Sequence, residues 1–329
     1  MSSRNDIGRF AIPLVLTALI LLSSLFYLQP SASGTLGFSF AGQYFRIGWI
    51  LDSPLLSQIV SLLLLAVFPF MFFVLDRYYP LKLDISMPLL YAVLVFACKD
   101  ALSLSPVHMA CFFLTWSVYA SFRAALETYD INWPFISMLL LSIASLFYVP
   151  LIWMAPLMAF MDNNNSAFKG KTVVGSICGL LLPMLFITAI SAIASGFKDI
   201  TGPLMNYLGM AVATDSGIPQ IIQVSTMAKV LVLTIAIAWA SISFAVTFNT
   251  LDIASARCFI RCAIYGLWLV VTALVFGYSA GSLPWIPALT LLSLFLYSFF
   301  NRTDQRRSGS FLLVILMLLT LAERIVTLL

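Results

Sequence analysis

Charged side chains are scarce in this sequence: Asp, Glu, Lys and Arg make up 9% of its 329 residues, and hydrophobic residues make up 62%. A soluble domain carries about 25% charged residues, so lipid must be the solvent for most of this surface. The net charge of +4 is no evidence for nucleic acid, because in membrane proteins the position of the cations matters more than their sum. We therefore predict an all-α, polytopic transmembrane helix bundle that forms a single domain over residues 1–329 and contacts membrane lipids.

Histidine is almost absent, and so are the common catalytic motifs. The chain has one histidine, His108, and it has no Gly-rich phosphate loop, no GxSxG and no HExxH. A Ser-His triad or a multi-histidine metal centre would have to be built from this one residue, and we predict instead that His108 is a packed or interfacial polar side chain. No ionisable residue falls clearly in the middle of a predicted span, which weakens the class of proton- and ion-coupled transporters.

Cysteine is present in an odd number, five, at irregular spacing, which excludes a disulfide framework. Cys258 and Cys262 lie four residues apart and therefore on one helical face. With one histidine in the chain and no second cysteine pair, we expect them to pack as small apolar residues.

Apolar runs of membrane-spanning length follow one another along the whole chain. The run Ala11–Leu28 is longer than the core of a signal peptide, so we interpret it as a retained first helix. Ser105 and Pro106 are typical of a helix start, as are Asn132 and Pro134. About eleven membrane segments are predicted, at residues 11–29, 56–75, 86–98, 106–122, 134–148, 150–161, 172–195, 227–248, 260–278, 284–300 and 310–328.

Residues 134–161 stand out among these segments, because Pro150 and Pro156 interrupt an apolar run. The run is too long for one span and too short for two, since a full crossing needs about 20 residues. We predict a short re-entrant hairpin or two half-length helices. Pro-interrupted segments of this kind indicate a site within the membrane.

The distribution of Lys and Arg predicts a cytoplasmic N-terminus and a periplasmic C-terminus in the cytoplasmic (inner) membrane of a bacterium. With the hairpin returning the chain to the inside, twelve of the 17 cations fall there, as the positive-inside rule expects. The twelve are Arg4, Arg9, Arg77, Lys82, Arg123, Lys169, Lys171, Arg257, Arg261, Arg302, Arg306 and Arg307.

The candidate catalytic and phosphate-binding residues are predicted to lie at the outer face of the membrane. Asp52 ends the first long loop, and Asp100 lies in the tight turn between the third and fourth spans. We select these two carboxylates as candidate catalytic residues, for acid–base work or for holding a divalent metal ion. Arg46, Lys99 and Lys198 belong to the same side and are candidate phosphate-binding residues. An ordinary helix cap for Asp52 and a solvated turn for Asp100 are the structural alternatives.

The two long outer loops are apolar enough to lie on the membrane. Residues 30–55 are rich in aromatics, and residues 196–226 include the amphipathic segment PLMNYLGMAV. Such segments anchor at the headgroup boundary, where they could also roof a cavity opened by the hairpin.

The order of a long outer loop with an Asp, several spans, LSPVHMACFFLTW, a charged turn and ISMLLLSIASLFYVPLIWMAPLMAF resembles the membrane module of GT-C glycosyltransferases. The resemblance covers residues 1–195, and residues 196–329 would be additional helices. It implies a transferase that uses a polyprenyl-phosphate-linked sugar at the outer face, with Asp52 as the catalytic acid of the first outer loop. The motifs LSP…FFL and ASLFY.P also resemble an uncharacterised group of small polytopic proteins from Bacteroidota.

Three functions remain open at this point. One is a GT-C-like transferase with a polyprenyl-phosphate carrier as its partner. Another is a non-catalytic membrane subunit or assembly factor of the cell envelope, which is favoured because no second Asp or Glu accompanies Asp52 in the loop 30–55. The third is a lipid or small-molecule translocator that uses the hairpin.

Overall fold

In a computed structural model of the chain, every regular element is helical within the described residues, which are 54–78, 86–96, 98, 101–102, 104–194, 202–212, 224–247, 252–276, 283–300, 311, 314–319 and 322. The helices are α1 (Pro54–Tyr78), α2 (Ser86–Phe96), α3 (Pro106–Leu126), α4 (Asn132–Phe147), a 3₁₀ segment (Val149–Met154), α5 (Ala155–Asn165), α6 (Lys169–Ala194), α7 (Gly202–Val212), α8 (Val224–Thr247), α9 (Ile253–Phe276) and α10 (Trp285–Phe300).

Four of these helices are long and apolar enough to cross a membrane: Leu55–Val74, Pro106–Leu126, Lys169–Ile190 and Ile253–Val275. Three shorter apolar helices, Asn132–Phe147, Val230–Val246 and Trp285–Tyr297, accompany them. The predicted all-α, multi-pass membrane class is confirmed at this level. The predicted first span and most of the last one lie outside the described residues.

The core of the bundle runs between α1, α2, α3, α4, α9 and α10. Its fully buried members include Phe68, Leu94, Leu114, Leu141 and Leu291. Helix α3 packs against α1 and α4, α4 packs against α6, and α9 packs against α10, which also contacts α2. Helix α3 is therefore central, and its polar residues face protein rather than lipid.

The predicted start of α3 is confirmed, and it explains the only histidine. Ser105 is the N-cap in an extended conformation and Pro106 is the first helical residue. His108 is fully buried; its Nδ1 accepts from the Ser105 backbone N–H at 3.2 Å, and its Nε2 donates to the Ala101 carbonyl at 2.8 Å. Both ring nitrogens are thus used to fix the helix start, and the prediction of a packed polar side chain is confirmed.

The predicted break after α4 is confirmed as well. Tyr148, two residues before Pro150, is extended, with φ −139° and ψ 94°, and ends α4. Pro150 and Pro156 stand in the first turns of the 3₁₀ segment and of α5, where their missing N–H is tolerated. The 3₁₀ segment therefore separates two helices instead of joining them into one.

The chain returns through the bundle after this break. The Ser117 hydroxyl donates to the Ser137 carbonyl near the start of α4, and it lies 3.9 Å from the Met158 sulfur in α5. Met158 has thus come back to the level of Ser137. The return is longer than the predicted 150–161, because a 3₁₀ segment rises about 2.0 Å per residue and α5 continues to Asn165.

The segment PLMNYLGMAV forms helix α7 over the apex of this hairpin. Tyr207 and Ala211 are buried against Leu146 and Val149, and the Tyr207 hydroxyl donates to Ser145 Oγ at 2.8 Å. Its other face carries Leu204, Met205, Leu208 and Val212, all exposed. The predicted surface segment is thus a helix that covers the turn between α4 and the 3₁₀ segment.

Candidate functional site

A buried arginine links three helices inside the bundle. Arg261 lies on α9 and has only 2% of its surface exposed. Its Nη1 donates to Asp162 Oδ1 on α5 at 2.5 Å and also to the carbonyl and hydroxyl of Ser121 on α3. Its Nη2 donates to the Met161 carbonyl at 2.8 Å. The guanidinium therefore joins α3, α5 and α9 at one point.

The partner carboxylate, Asp162, is completely buried. Besides the arginine, its Oδ1 accepts a hydrogen bond from the Ser121 hydroxyl at 2.8 Å. Tyr265, one turn after Arg261, places its hydroxyl 3.0 Å from Ser121 Oγ. Because a hydroxyl has one proton and that of Ser121 is given to Asp162, Tyr265 is the donor to Ser121. Donors from α3 and α9 thus converge on one oxygen of Asp162.

The position of this cluster within the helices shows that it is not a loop feature. Arg261 is eight residues into α9 and Ser121 is five residues before the end of α3, which at 1.5 Å per residue are depths of about 12 Å and about 7 Å. Both helices belong to the membrane-capable set. An ionisable pair at such a place is a functional-site candidate by default, because burying charge in a membrane is costly.

Two polar atoms beside the ion pair have no hydrogen-bond partner among the described residues. They are Asp162 Oδ2 and the Ser137 hydroxyl oxygen. The Ser137 hydroxyl is nevertheless close enough to Asp162 to act as a hydrogen-bond donor to its carboxylate, in a geometry outside the strict hydrogen-bond criteria. The carboxylate is therefore strongly bonded to α3 and α9 and more weakly bonded to α4.

A second polar group lies at the end of α3 and has the character of an interface belt. Arg123 pairs with Glu127, the Trp133 indole N–H donates to Glu127 Oε2 at 2.5 Å, and the Arg123 guanidinium stands 4.9 Å above the Trp133 ring. These residues are partly exposed. Aromatic and basic side chains of this kind anchor helices at the membrane–water boundary.

The cysteines provide no metal centre within the described chain. Cys258 and Cys262 are fully buried on α9, on either side of Arg261, as the packing interpretation predicts. No group of three or more His, Cys, Asp or Glu side chains that could hold a metal ion occurs among the described residues. The divalent metal ion considered for the outer face would be held by Asp52 and Asp100, which are not part of this cysteine group.

The predicted outer-face residues Asp52, Asp100, Arg46, Lys99 and Lys198 all lie outside the described residues. Their assignment as catalytic and phosphate-binding residues therefore stays a prediction.

Neither member of the buried pair was predicted from the sequence. Arg261 was counted among the cytoplasmic cations at the start of the predicted span 260–278, whereas α9 begins at Ile253. The sequence also indicated no ionisable residue clearly inside a span, which was wrong for Arg261. The signal that was available is ARCFIRC, where Arg261 stands in an apolar context one helical turn after Arg257.

No protein-family model, no curated protein and no solved structure matches this chain.

Proposed function

We propose that this chain is a membrane translocator in which proton binding to Asp162 controls the position of the Pro-broken hairpin. The observation that supports the proposal is the completely buried Asp162–Arg261 pair, with the carboxylate on the hairpin and the guanidinium on a membrane-capable helix. Intramembrane carboxylates are the usual proton carriers of transporters, and broken helices usually form their sites.

The mechanism follows from the bonding of the pair. Oδ1 is saturated by Ser121 and Arg261, so Oδ2 is the oxygen on which a proton can settle. Protonation removes the charge of Asp162 and weakens its attraction to Arg261. The return leg of the hairpin, which is tied to α9 through Asp162 and the Met161 carbonyl, is then free to move relative to α3 and α9.

The proposed function belongs to the translocators, a class of protein that the sequence disfavoured. Translocators were disfavoured because no ionisable residue was predicted clearly within a span, and Arg261 lies within one. The hairpin itself was the feature that first indicated such a site.

Proton flux into proteoliposomes tests the proposal. The purified chain is reconstituted into vesicles that contain a pH-sensitive dye, and a membrane potential is imposed. We expect acidification faster than in protein-free vesicles, and Asp162→Asn should reduce it to the protein-free level. Asp252→Asn is the matched control, because Asp252 is exposed before α9, and it should leave the flux unchanged.

Two results of the flux experiment would contradict the proposal. Wild-type flux no faster than in protein-free vesicles, or flux that survives in a folded Asp162→Asn variant, contradicts the proposal. The Asp162–Arg261 pair would then only stabilise the packing of the helices, as expected of a non-catalytic membrane subunit or assembly factor.

A finer architecture belongs to the same proposal. We place eleven segments in the cytoplasmic membrane of a bacterium, with the N-terminus inside and the C-terminus in the periplasm. The support is the asymmetry of the cations, of which eleven of 17 fall on one side when the buried Arg261 is left out.

The second candidate function is a GT-C-like glycosyltransferase acting on a polyprenyl-phosphate-linked sugar at the outer face. Its support is the resemblance over residues 1–195, in which Asp52 is the catalytic residue. In that case Asp52 and Asp100 would act as general base or hold a divalent ion, which would supply polarisation of the leaving phosphate, and Arg46, Lys99 and Lys198 would bind the carrier phosphate.

A substitution at Asp52 tests this second candidate. Membranes that contain the chain should transfer labelled sugar from a polyprenyl-phosphate donor, and Asp52→Asn should abolish the transfer while insertion stays intact, since the two side chains are nearly isosteric. Asp252→Asn serves again as the control. Protein-dependent transfer that persists in Asp52→Asn would remove Asp52 from the mechanism.

A further inference from the structure

Helix α9 is bonded to the return leg of the hairpin at two separate levels. At the far end of the return leg, away from the apex, Arg261 Nη2 donates to the Met161 carbonyl at 2.8 Å. At the apex, the Trp268 indole N–H donates to the Trp153 carbonyl in the 3₁₀ segment at 2.9 Å. Trp268 follows Arg261 by seven residues, which is about two turns, or about 10 Å, along one face of α9. The return leg therefore lies along α9 and is attached to it at both ends.

The two attachments depend on different chemistry. At the far end, the contact of Arg261 with the return leg includes its ion pair with Asp162, whose charge the proposed proton binding removes. At the apex, the donor is an indole N–H, which does not titrate, and the acceptor is the backbone carbonyl of Trp153. Protonation of Asp162 therefore weakens the far attachment and leaves the bond from Trp268 unchanged.

The apex is also held by α7. The Trp153 indole N–H donates to the Ala211 carbonyl at 3.0 Å, and the Tyr207 hydroxyl donates to Ser145 Oγ at 2.8 Å. Trp153 thus accepts from α9 through its carbonyl and donates to α7 through its side chain. The backbone at this point is a short 3₁₀ segment between two α-helices, and such stretches often mark a hinge.

We propose that Trp268 is a positioning residue that holds the apex as a pivot, about which α5 swings away from α9 when Asp162 is neutral. The inference deepens the proposed function and rests on it, because it names the part of the hairpin that moves. Helix α5 has 11 residues and is therefore about 16 Å long. A rotation of about 20° about its start moves its far end by about 5–6 Å, while the apex and α7 stay in place.

Distances between pairs of spin labels, measured by pulsed electron paramagnetic resonance in proteoliposomes, test the pivot. The labels are attached at exposed positions, in a background in which the exposed Cys178 is replaced by Ser. Asn164→Cys on α5 with Ile253→Cys at the start of α9 reports the far end of the return leg. Met205→Cys on α7 with Val275→Cys on α9 reports the apex.

Asp162→Asn represents the protonated state, because it removes the negative charge at nearly constant shape. It should change the far-end distance by about 5 Å and leave the apex distance unchanged. With Trp268→Phe added, the apex loses its bond to α9, so the apex distance should change as well. Trp116→Phe is the matched control, because Trp116 on α3 is also partly exposed and its ring contacts Tyr119 on the same helix; it should leave both distances unchanged.

Three results would overturn the pivot. They are an unchanged far-end distance in Asp162→Asn, an equal change of both distances in that variant, and an unchanged apex distance in the double variant. The first two are measured without Trp268→Phe, so they decide the question even if that variant fails to insert.

Proton flux is a separate measurement, so the two proposals can fail separately. Asp162-dependent flux, with both distances changing together, would leave the proposed function standing and remove the pivot. A change confined to the far end, without flux, would leave a hinged hairpin that carries no protons.

Discussion

At the scale of single residues, the decisive feature is a charge pair that the protein keeps fully out of water. Arg261 bonds to Asp162, to Ser121 and to the Met161 carbonyl. A pair of this kind adds little net stability over an apolar pair, but removing one member is costly, because the other charge is left buried alone. This asymmetry can be measured.

Removal of one charge should therefore be worse than removal of both. We expect Arg261→Met and Asp162→Leu each to lower the free energy of unfolding by about 3–5 kcal/mol. The double variant should lose clearly less than the sum of the two. Stability measured by denaturant titration in mild detergent checks this, and Arg257→Met is the control, since Arg257 is exposed and bonds only to the Ala125 carbonyl among the contacts described. Additive losses would contradict a direct pair.

At the scale of the elements, the hairpin depends on a very close contact between α4 and α6. A Cβ added at Gly179 would lie 2.4 Å from the Phe135 carbonyl oxygen and 3.1 Å from the Leu139 nitrogen. Gly175 lies one turn earlier on the same face, also next to Phe135. Small residues four apart let helix backbones approach in a membrane, and the Ser142 hydroxyl adds a bond to the Leu180 carbonyl in the same seam.

Gly179→Ala should consequently destabilise the protein. The new methyl group meets backbone atoms that cannot rotate away, so α6 must shift, at a cost of about 1–3 kcal/mol. Gly209→Ala on α7 is the control, because nothing lies within 4 Å of its added Cβ; helix propensity should there give a gain of about 0.5–1 kcal/mol. Thermal unfolding in one detergent compares the two, and equal midpoints would argue against the close contact.

At the scale of the whole molecule, several cations lie together at one end of the bundle. The Ala167 N–H donates to the Thr128 carbonyl, which joins the turn before α6 to the turn after α3. Arg257 reaches the Ala125 carbonyl at the same end. The exposed Lys169 and Lys171 at the start of α6 follow this joined pair of turns. These cations lie at the same end of the bundle because the hairpin brings the chain back to that end.

Reporter fusions follow from this arrangement. Fusions after Lys171 and after Arg307 should both report the cytoplasm, because the hairpin returns the chain inside and the later spans then keep the cations there. A fusion after Ser195 should report the periplasm and serves as the opposite control. An external signal after Lys171 would contradict the proposed orientation of the chain in the membrane.

The helical class, most helix bounds to within a few residues, the start of α3 at Ser105–Pro106 and the break at Pro150 can all be predicted from the sequence. These features are local: hydropathy, capping and the missing proline N–H act on neighbouring residues. The contact between Asp162 and Arg261 depends on the fold, because 99 residues separate them and no local pattern encodes that distance. For the same reason the charge of Arg261 was first taken as a topological signal, whereas burial against α3 and α5 makes it part of a site.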